Sequence, residues 1–353
     1  MTNKPHVSVL IPTYKRAHLI GHVLEALQKQ SYSNFEVLVV LKPSGDGTEE
    51  VLERFEKTLN IRVMLQEEGY VTDALNLGLG QAQGTVVAFL DDDAIPQKDW
   101  LQNHLNTYSD SNVGGVAGNV IPAVLKEGSV YAKNGVSELI PHPKEFMKSI
   151  GRILWSCPIK GLENHLVYIS RAGAVAYDSN LSQYAWHRVT KSLLGMGANM
   201  SLLSKTVKGF KFPSSWILGL SWEQFLGWYV WKQGYTLVFN PNATVNHVVH
   251  GQTLSRSQTD AKKAALNVME SNLLFYRLYD LEQNLSAMYR IIWLIFSVMV
   301  NTKKICVNHE LERFAWIRGM FYSELIGLKW LLSRKVGGRY WPLADLKKFS
   351  GIS

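Results

Sequence analysis

Apolar runs alternating with stretches of helical spacing fill the first 120 residues and leave few folds open to this chain. Val7 to Ile11, Phe35 to Leu41, Ile61 to Leu65 and Thr85 to Leu90 are short, β-rich and uninterrupted, the pattern of strands buried on both faces. Val113 to Ile121 is strand-like, with glycines permitting close approach. Between the runs, Leu19, Val23, Leu24 and Leu27 give helical spacing to Ala17–Gln30. Thr72 to Ala82 and Gln97 to Tyr108 read as helices as well. Asp46-Gly47-Thr48-Glu49 has the form of a capping box opening a helix to about Lys57. Such alternation predicts an α/β fold, a doubly wound and mostly parallel sheet covered on both faces.

Open sheets of this kind bind ligands outside the carboxyl ends of their strands. Those ends are Pro12-Thr13-Tyr14-Lys15-Arg16, Lys42-Pro43-Ser44-Gly45-Asp46, Gln66-Glu67-Glu68-Gly69 and Asp91-Asp92-Asp93. Polar residues therefore converge on one rim above apolar strands. The three aspartates repel one another unless a cation offsets them. A hard divalent cation, Mn²⁺ or Mg²⁺, shared with a substrate pyrophosphate is one reading. An acidic turn capping the next helix is the other.

The remainder is less regular. Leu166–Ile169 and Ala174–Tyr177 are β-like pieces of unassigned topology. Ser221 to Gln233 reads as a helix, with Ser221 and Gln224 forming a second capping box and Gly234 ending it. Thr236–Phe239 and Ala243–Val248 read as two strands, followed by a polar loop from His250 to Thr259. From Ala261 the pattern is helical. Ile291 to Val300 is an apolar run of ten residues, half the length a spanning helix needs. Phe314, Ile317, Phe321, Leu325, Leu328 and Leu332 form a stripe that either packs on the main domain or lies in a membrane interface.

Of the net charge of +8, +6 lies between Arg277 and Ser353, and 10 of the 11 tryptophans lie beyond residue 150, Trp100 being the exception. No nucleic-acid-binding motif accompanies the charge, so an anionic membrane surface fits it better. Cys157 and Cys306 give neither metal-ligand spacing nor a disulfide framework, which suggests a reduced, cytoplasmic compartment. Val7–Ile11 is too short for the apolar core of a signal peptide.

Taken in order, several segments resemble family-2 glycosyltransferases of the GT-A fold. They are residues 7–16 (VSVLIPTYKR), Ser44-Gly45-Asp46-Gly47-Thr48, Ala74-Leu75-Asn76-Leu77-Gly78 with Ala82-Gln83-Gly84, and residues 89–96 (FLDDDAIP). Gly197-Ala198-Asn199-Met200, Glu223 eleven residues before Gly234, and Pro241 through His247 complete the match. The resemblance implies a GT-A catalytic domain over 1–260, with a nucleotide-sugar half (1–121) and an acceptor half (122–260), and a basic helical extension over 261–353. It further implies inverting transfer of a sugar from a UDP-, GDP- or dTDP-type donor to a hydroxyl or phosphate acceptor.

On that resemblance Asp93 and His247 would hold Mn²⁺ or Mg²⁺, and Glu223 would be the general base, its helix-start position favouring the ionised form. Pro12, Thr13, Tyr14, Arg16, Lys42, Asp46, Asn76, Asp91 and Asp92 would contact the donor. Trp216, Trp222, Trp228 and Trp231 would either form a sugar platform or fill the core. There are two departures from the family pattern. Leu41 and Lys42 stand where an Asp pair is usual, and Leu75 where an Arg is common. The basic tail suggests a lipid-linked saccharide acceptor at the cytoplasmic face, with Arg290, Lys303, Lys304, Arg334, Lys335 and Arg339 towards anionic headgroups.

Rival classes lack their signatures: no Gly-x-Gly-x-x-Gly follows the first strand, and there is no Gly-x-x-x-x-Gly-Lys-Ser/Thr. A non-catalytic membrane-surface adaptor on a degenerate glycosyltransferase fold accounts for the tail but not for the aspartates.

Overall fold

The computed structural model describes residues 6–126, 128–132, 157–213, 219–249 and 261–335. The loop from His250 to Thr259, Trp216 and Arg339 lie outside them, as do the side chains of Arg334 and Lys335.

Strands β1 (Val7–Thr13), β2 (Phe35–Leu41), β3 (Ile61–Leu65) and β4 (Val86–Leu90) alternate with helices α1 (Ala17–Gln28), α2 (Thr48–Phe55) and α3 (Val71–Gln81). After β5 (Ala94–Pro96) and α4 (Trp100–Thr107) come β6 (Val113–Lys126) and β7 (Ser129–Ala132). A two-stranded sheet, β8 (Val167–Ile169) and β9 (Val175–Tyr177), precedes α5 (Ser179–Ala185), β10 (Thr190–Lys191) and β11 (Asn199–Leu203). Then follow α6 (Trp222–Lys232), β12 (Thr236–Val248), α7 (Ala261–Asn272), α8 (Leu274–Leu278), α9 (Ala287–Asn308) and α10 (Arg313–Lys335).

The main sheet runs β3-β2-β1-β4-β11-β6-β12-β10. Its first four strands are parallel, as their apolar sequences predict, and β11 is inserted antiparallel on both sides. Burial is near complete in β1, β2 and β4, whereas β3 is an edge strand with Val63 and Leu65 exposed.

Three expectations are corrected. The segments around Pro241 form one strand, β12, because the register shift between Asn240 and Thr244 absorbs the proline as a bulge. Neither capping box forms. Helix α2 starts one residue late for the motif, with Gly47 at its cap and the Asp46 carboxylate accepting from the Thr48 amide instead, while Ser221 is left-handed and its side chain makes no cap hydrogen bond. The ten-residue apolar run is the middle of α9, a 22-residue helix long and apolar enough to cross a membrane by length and composition.

Ser8 and Glu36, both buried, tie β1 and β2 to the turn before β4. Ser8 Oγ donates to Glu36 Oε1 (2.6 Å), and the Gln83 and Gly84 amides donate to that pair (3.0 and 2.8 Å). A Cβ at Gly84 would lie 2.6 Å from the Ser8 nitrogen, backbone that cannot move aside. Gly84→Ala is therefore expected to lower stability by about 1–3 kcal/mol, the usual cost of overpacking, read as a lower urea midpoint at unchanged slope.

Helix α8 belongs to the sheet unit: Leu274 and Leu278 are fully buried in its core. Helix α10 packs through small residues four apart, Ala315, Gly319, Ser323 and Gly327: the first two lie against α7, and Gly327 against Tyr276 of α8. At Gly319 a Cβ would meet the Ala265 carbonyl at 2.2 Å, so the two backbones nearly touch. The stripe of Phe314, Phe321, Leu325, Leu328 and Leu332 consequently points outward, each residue more than half exposed. Packing on the main domain is thus excluded for those side chains within the described residues. Along α9, Met288, Ile291, Ile295, Met299 and Val307 are likewise exposed.

Candidate active site

The site lies where the strand order reverses, between β1 and β4, the place ligands favour in doubly wound sheets. β1 pairs with β4 only as far as Leu10 and Phe89, yet stays with β2 to Thr13 and Leu41. β4 continues with β11 to Leu90 and Asn199. The two central strands therefore part at their carboxyl ends, and Asp91 begins where the crevice opens. Pro12 lies beyond the β1–β4 pairing, so its missing N–H costs that ladder nothing.

Behind the crevice Asn199 acts as a staple. Its Oδ1 accepts from Trp100 Nε1 (2.7 Å) and from His104 Nε2 (2.9 Å), while Nδ2 donates to the carbonyls of Asn119 and Ala243 (both 2.8 Å). Four elements are fastened by one buried amide. Burial also holds the His104 imidazole neutral, its pKa down at about 4.

Asp91, Asp93 and His247 each bring a ligand atom within 4.8 Å of the others. His247 is carried to the aspartates by the antiparallel pairing of β5 with β12, which sets it opposite Ala94. The Val248 amide donates to the Asp93 carbonyl (2.9 Å), and His247 Nε2 lies 3.0 Å from Asp93 Oδ1. Asp93 and His247 are buried and Asp91 half-buried, so one side of the cluster remains open. Two carboxylates and an imidazole form a donor set suited to Mn²⁺ or Mg²⁺. These residues fit a cation of that kind.

Asp92 serves differently. It accepts from Arg16 Nε at 3.2 Å. Its pKa is pushed up to about 7, by burial first and by Asp93 second, against the lowering effect of Arg16 and Thr13. Both Asp92 and the Arg16 Nε are thus engaged with each other rather than wholly available to a donor.

Glu223 opens α6 and accepts from the Gly197 amide (3.0 Å). It is half-buried, and its pKa is raised to about 8, chiefly by burial and further by Asp91 and Glu270. The expectation that the helix start would favour the ionised form is therefore overturned: loss of water outweighs the backbone hydrogen bonds made there. Its neighbour Gln224 turns inward, donating to the carbonyls of Leu194 and Gly195 (3.0 and 2.7 Å). Trp222 and Trp228 are core residues, 5% exposed, which resolves their role in favour of packing.

Around the rim, the Lys42 ammonium donates to the Gly69 carbonyl (2.9 Å) and lies 5.6 Å from the Tyr14 ring and 6.0 Å from the Tyr70 ring. Tyr14 is 40% exposed and follows β1 directly. Asp46 collects Thr48 Oγ1 (2.6 Å), Ser44 Oγ (2.9 Å) and the Ala17 amide (3.1 Å). Slight burial raises its pKa, but those hydrogen bonds prevail and bring it down to about 2. Asn76 is occupied elsewhere: its amide group exchanges two hydrogen bonds with the Phe212 backbone (2.9 and 2.8 Å).

Two neighbours of the site escaped the sequence reading. Tyr177 on β9 has its phenol pushed up to about 12, first by burial and then by Glu223. Glu270 on α7 also acts on Glu223 through its charge. Neither position carries a local motif; folding alone brings them there.

Residues 8–155 match the family model "Glycosyl transferase family 2". The chain carries a family-2 glycosyltransferase domain. It is 39% identical over 120 residues to glycosyltransferase AglE of Haloferax volcanii, covering 33% of this chain and 40% of that protein. It is 38% identical over 109 residues to the putative teichuronic acid biosynthesis glycosyltransferase TuaG of Bacillus subtilis, covering 30% and 43%. The chain thus spans less than half the length of these curated relatives. Its GT-A fold is shared with a mannosyltransferase from Pyrobaculum calidifontis, solved with GDP-Man and Mn²⁺. The TM-score is 0.51 at 17% identity, over 99% of this chain and 85% of that one.

Proposed function

We propose that this protein is an inverting, metal-dependent glycosyltransferase that moves a sugar from a nucleoside-diphosphate donor to a lipid-linked acceptor at the cytoplasmic face of a membrane. The observation that carries the transferase reading is the Asp91–Asp93–His247 donor set at the strand crevice, with Glu223 close enough to feel Asp91. A bound Mn²⁺ or Mg²⁺ supplies charge neutralisation to the departing diphosphate. Asp93 and His247 would hold it, with Asp91 completing the set or meeting the donor ribose. Tyr14, Lys42, Asp46 and the free edge of Arg16 line the donor side, with Pro12 and Thr13 forming the floor. Glu223 takes the acceptor O–H proton as the acceptor oxygen attacks the anomeric carbon. The carbon–oxygen bond to the phosphate breaks, and its electron pair leaves with the nucleoside diphosphate.

Incubation with Mn²⁺ and a panel of UDP-, GDP- and dTDP-sugars tests this. Nucleotide release from one donor class, lost in excess EDTA, is the expected result. No release from any member, and no Mn²⁺-dependent shift in melting temperature, would leave the non-catalytic adaptor as the better account.

The membrane reading rests on the outward apolar faces of α9 and α10, flanked by exposed Lys303, Arg318 and Lys329. Arg290 is withdrawn from the headgroup role, because it is 3% exposed, ion-paired with Glu324 and bonded to the Ala172 and Asn272 carbonyls. Each basic residue near an anionic surface contributes about 1 kcal/mol, and each apolar side chain withdrawn from water about 1.5–3 kcal/mol. The protein is expected to float with phosphatidylserine vesicles at low salt. High salt should weaken the binding, and Phe321→Glu with Leu325→Glu should reduce it by at least tenfold. Sedimentation away from the vesicles at low salt sinks this part of the reading while leaving the chemistry untouched.

A further inference from the structure

Helix α6 starts in an unusual way. Gly219 (φ +70°) and Ser221 (φ +65°) are both left-handed, and only the first is a glycine. A side-chain-bearing residue keeps that conformation where its surroundings impose it. Gly219 is packed so closely that a Cβ would lie 2.5 Å from Val71 Cγ1. Between the two, the Leu220 amide donates to Glu270 Oε2 at 3.3 Å. Glu270 is 1% exposed and Arg277, 5% exposed, supplies the charge that offsets it. Arg277 Nη1 also donates to the Glu270 main-chain carbonyl (3.2 Å), so the guanidinium is fixed beside Glu270 at the junction of α7 and α8. The far end of α6 is anchored separately: Glu282 accepts from Trp228 Nε1 (2.9 Å) and Lys232 Nζ (3.2 Å).

A buried ion pair is seldom a gain in stability over apolar packing, and its better-attested use is to fix one arrangement among several. The arrangement fixed here is the turn two residues before Glu223. We propose that Glu270 is a positioning residue: its carboxylate sets the left-handed turn at Gly219–Ser221 and thereby the direction in which Glu223 faces the reacting centre. This rests on Glu223 being the base in the reading above. It makes the helical segment after residue 260 part of the catalytic apparatus, independent of any membrane role for α9 and α10.

A misplacement of about 1 Å in a catalytic group can cost on the order of a hundredfold in rate. Glu270→Gln, assayed by nucleotide release with the donor the native protein turns over, is expected to lower kcat ten- to a hundredfold. KM for the donor should change less than about threefold, since the metal ligands are untouched. In a Glu223→Gln background the same change should add nothing, because a residue acting only through Glu223 has no further effect once Glu223 is gone. Glu282→Gln serves as the comparison, expected to lower the melting temperature with kcat close to native. If Glu270→Gln does not fold, Glu270→Gln with Arg277→Met removes both charges and carries the same comparison. Native-like kcat in the variant, or an equal further loss in the Glu223→Gln background, overturns the proposal. Absence of turnover in the native protein instead overturns the transferase reading on which it rests.

Discussion

Asp93→Asn is expected to remove divalent-cation binding and turnover together while leaving the chain folded. Asp93 is 5% exposed and its Oδ1 lies 3.0 Å from His247 Nε2, so an amide of the same shape can fill the space. What the amide lacks is charge. Metal stabilisation of a leaving diphosphate is worth several kcal/mol, and each 1.36 kcal/mol is tenfold in rate, so a loss on the order of 10³-fold or more is expected. Binding is read without activity from melting curves. Mn²⁺ at 100 times its Kd should stabilise the native protein by about 2.7 kcal/mol, and Asp93→Asn should show no such rise. Asp92→Asn should lose less, since the Asp92 charge is spent on Arg16. A variant at position 93 that keeps both the Mn²⁺ shift and the turnover refutes the assignment.

The contrast between neighbouring aspartates marks how far the sequence could be read. The sheet was legible because strands buried on both faces must be continuous apolar runs, and β1, β2 and β4 are such runs. The rim followed from chain direction alone. That Asp91 and Asp93 face the crevice while Asp92 turns to Arg16 needed the β1–β4 divergence, which no local pattern encodes. His247 lies more than 150 residues from Asp93 in the chain, and only the short β5 pairing joins them. Asn76, expected at the donor, is drawn off by the Phe212 backbone, a contact across 136 residues.

The helical tail was harder because amphipathic spacing does not say which apolar face is buried. On α10 the large residues look like the core face, yet the small ones at 315, 319, 323 and 327 are what allow α7 and α8 to approach. Close backbone contact selects small side chains, and the large ones are then turned out. Arg290 shows the reverse effect: a charge that reads as surface is buried because Glu324 and two carbonyls receive it. Capping boxes failed for a related reason. Gly47 and Ser221 stand at the helix starts in left-handed conformations, which the pattern of residue types in the two motifs does not reveal.

Glu223→Gln is expected to separate catalysis from stability. Transfer should fall by the general-base factor, about 10²–10⁴, with donor binding retained, because the amide keeps the bond from Gly197 but cannot take a proton. Folding raises the Glu223 pKa to about 8, above its value in the unfolded chain. In the window between the ordinary carboxylate pKa and about 8, the folded state therefore binds a proton that the unfolded chain has released. Native stability is full below that window and declines as pH rises through it. Glutamine removes the decline, so the variant should melt at the same temperature as the native protein near pH 4 and above it at pH 8–9. The same shift predicts an acidic limb in kcat/KM of the native enzyme lying well above the carboxylate range. An inactive variant that is also less stable at pH 8 would mean the residue supports the fold rather than the chemistry. A variant that loses donor affinity but transfers bound donor at the native rate would make Glu223 a binding group. Loss of transfer with a gain in alkaline stability is the combination that a buried base requires, since the burial that costs stability is also what lifts its affinity for the acceptor proton towards neutrality.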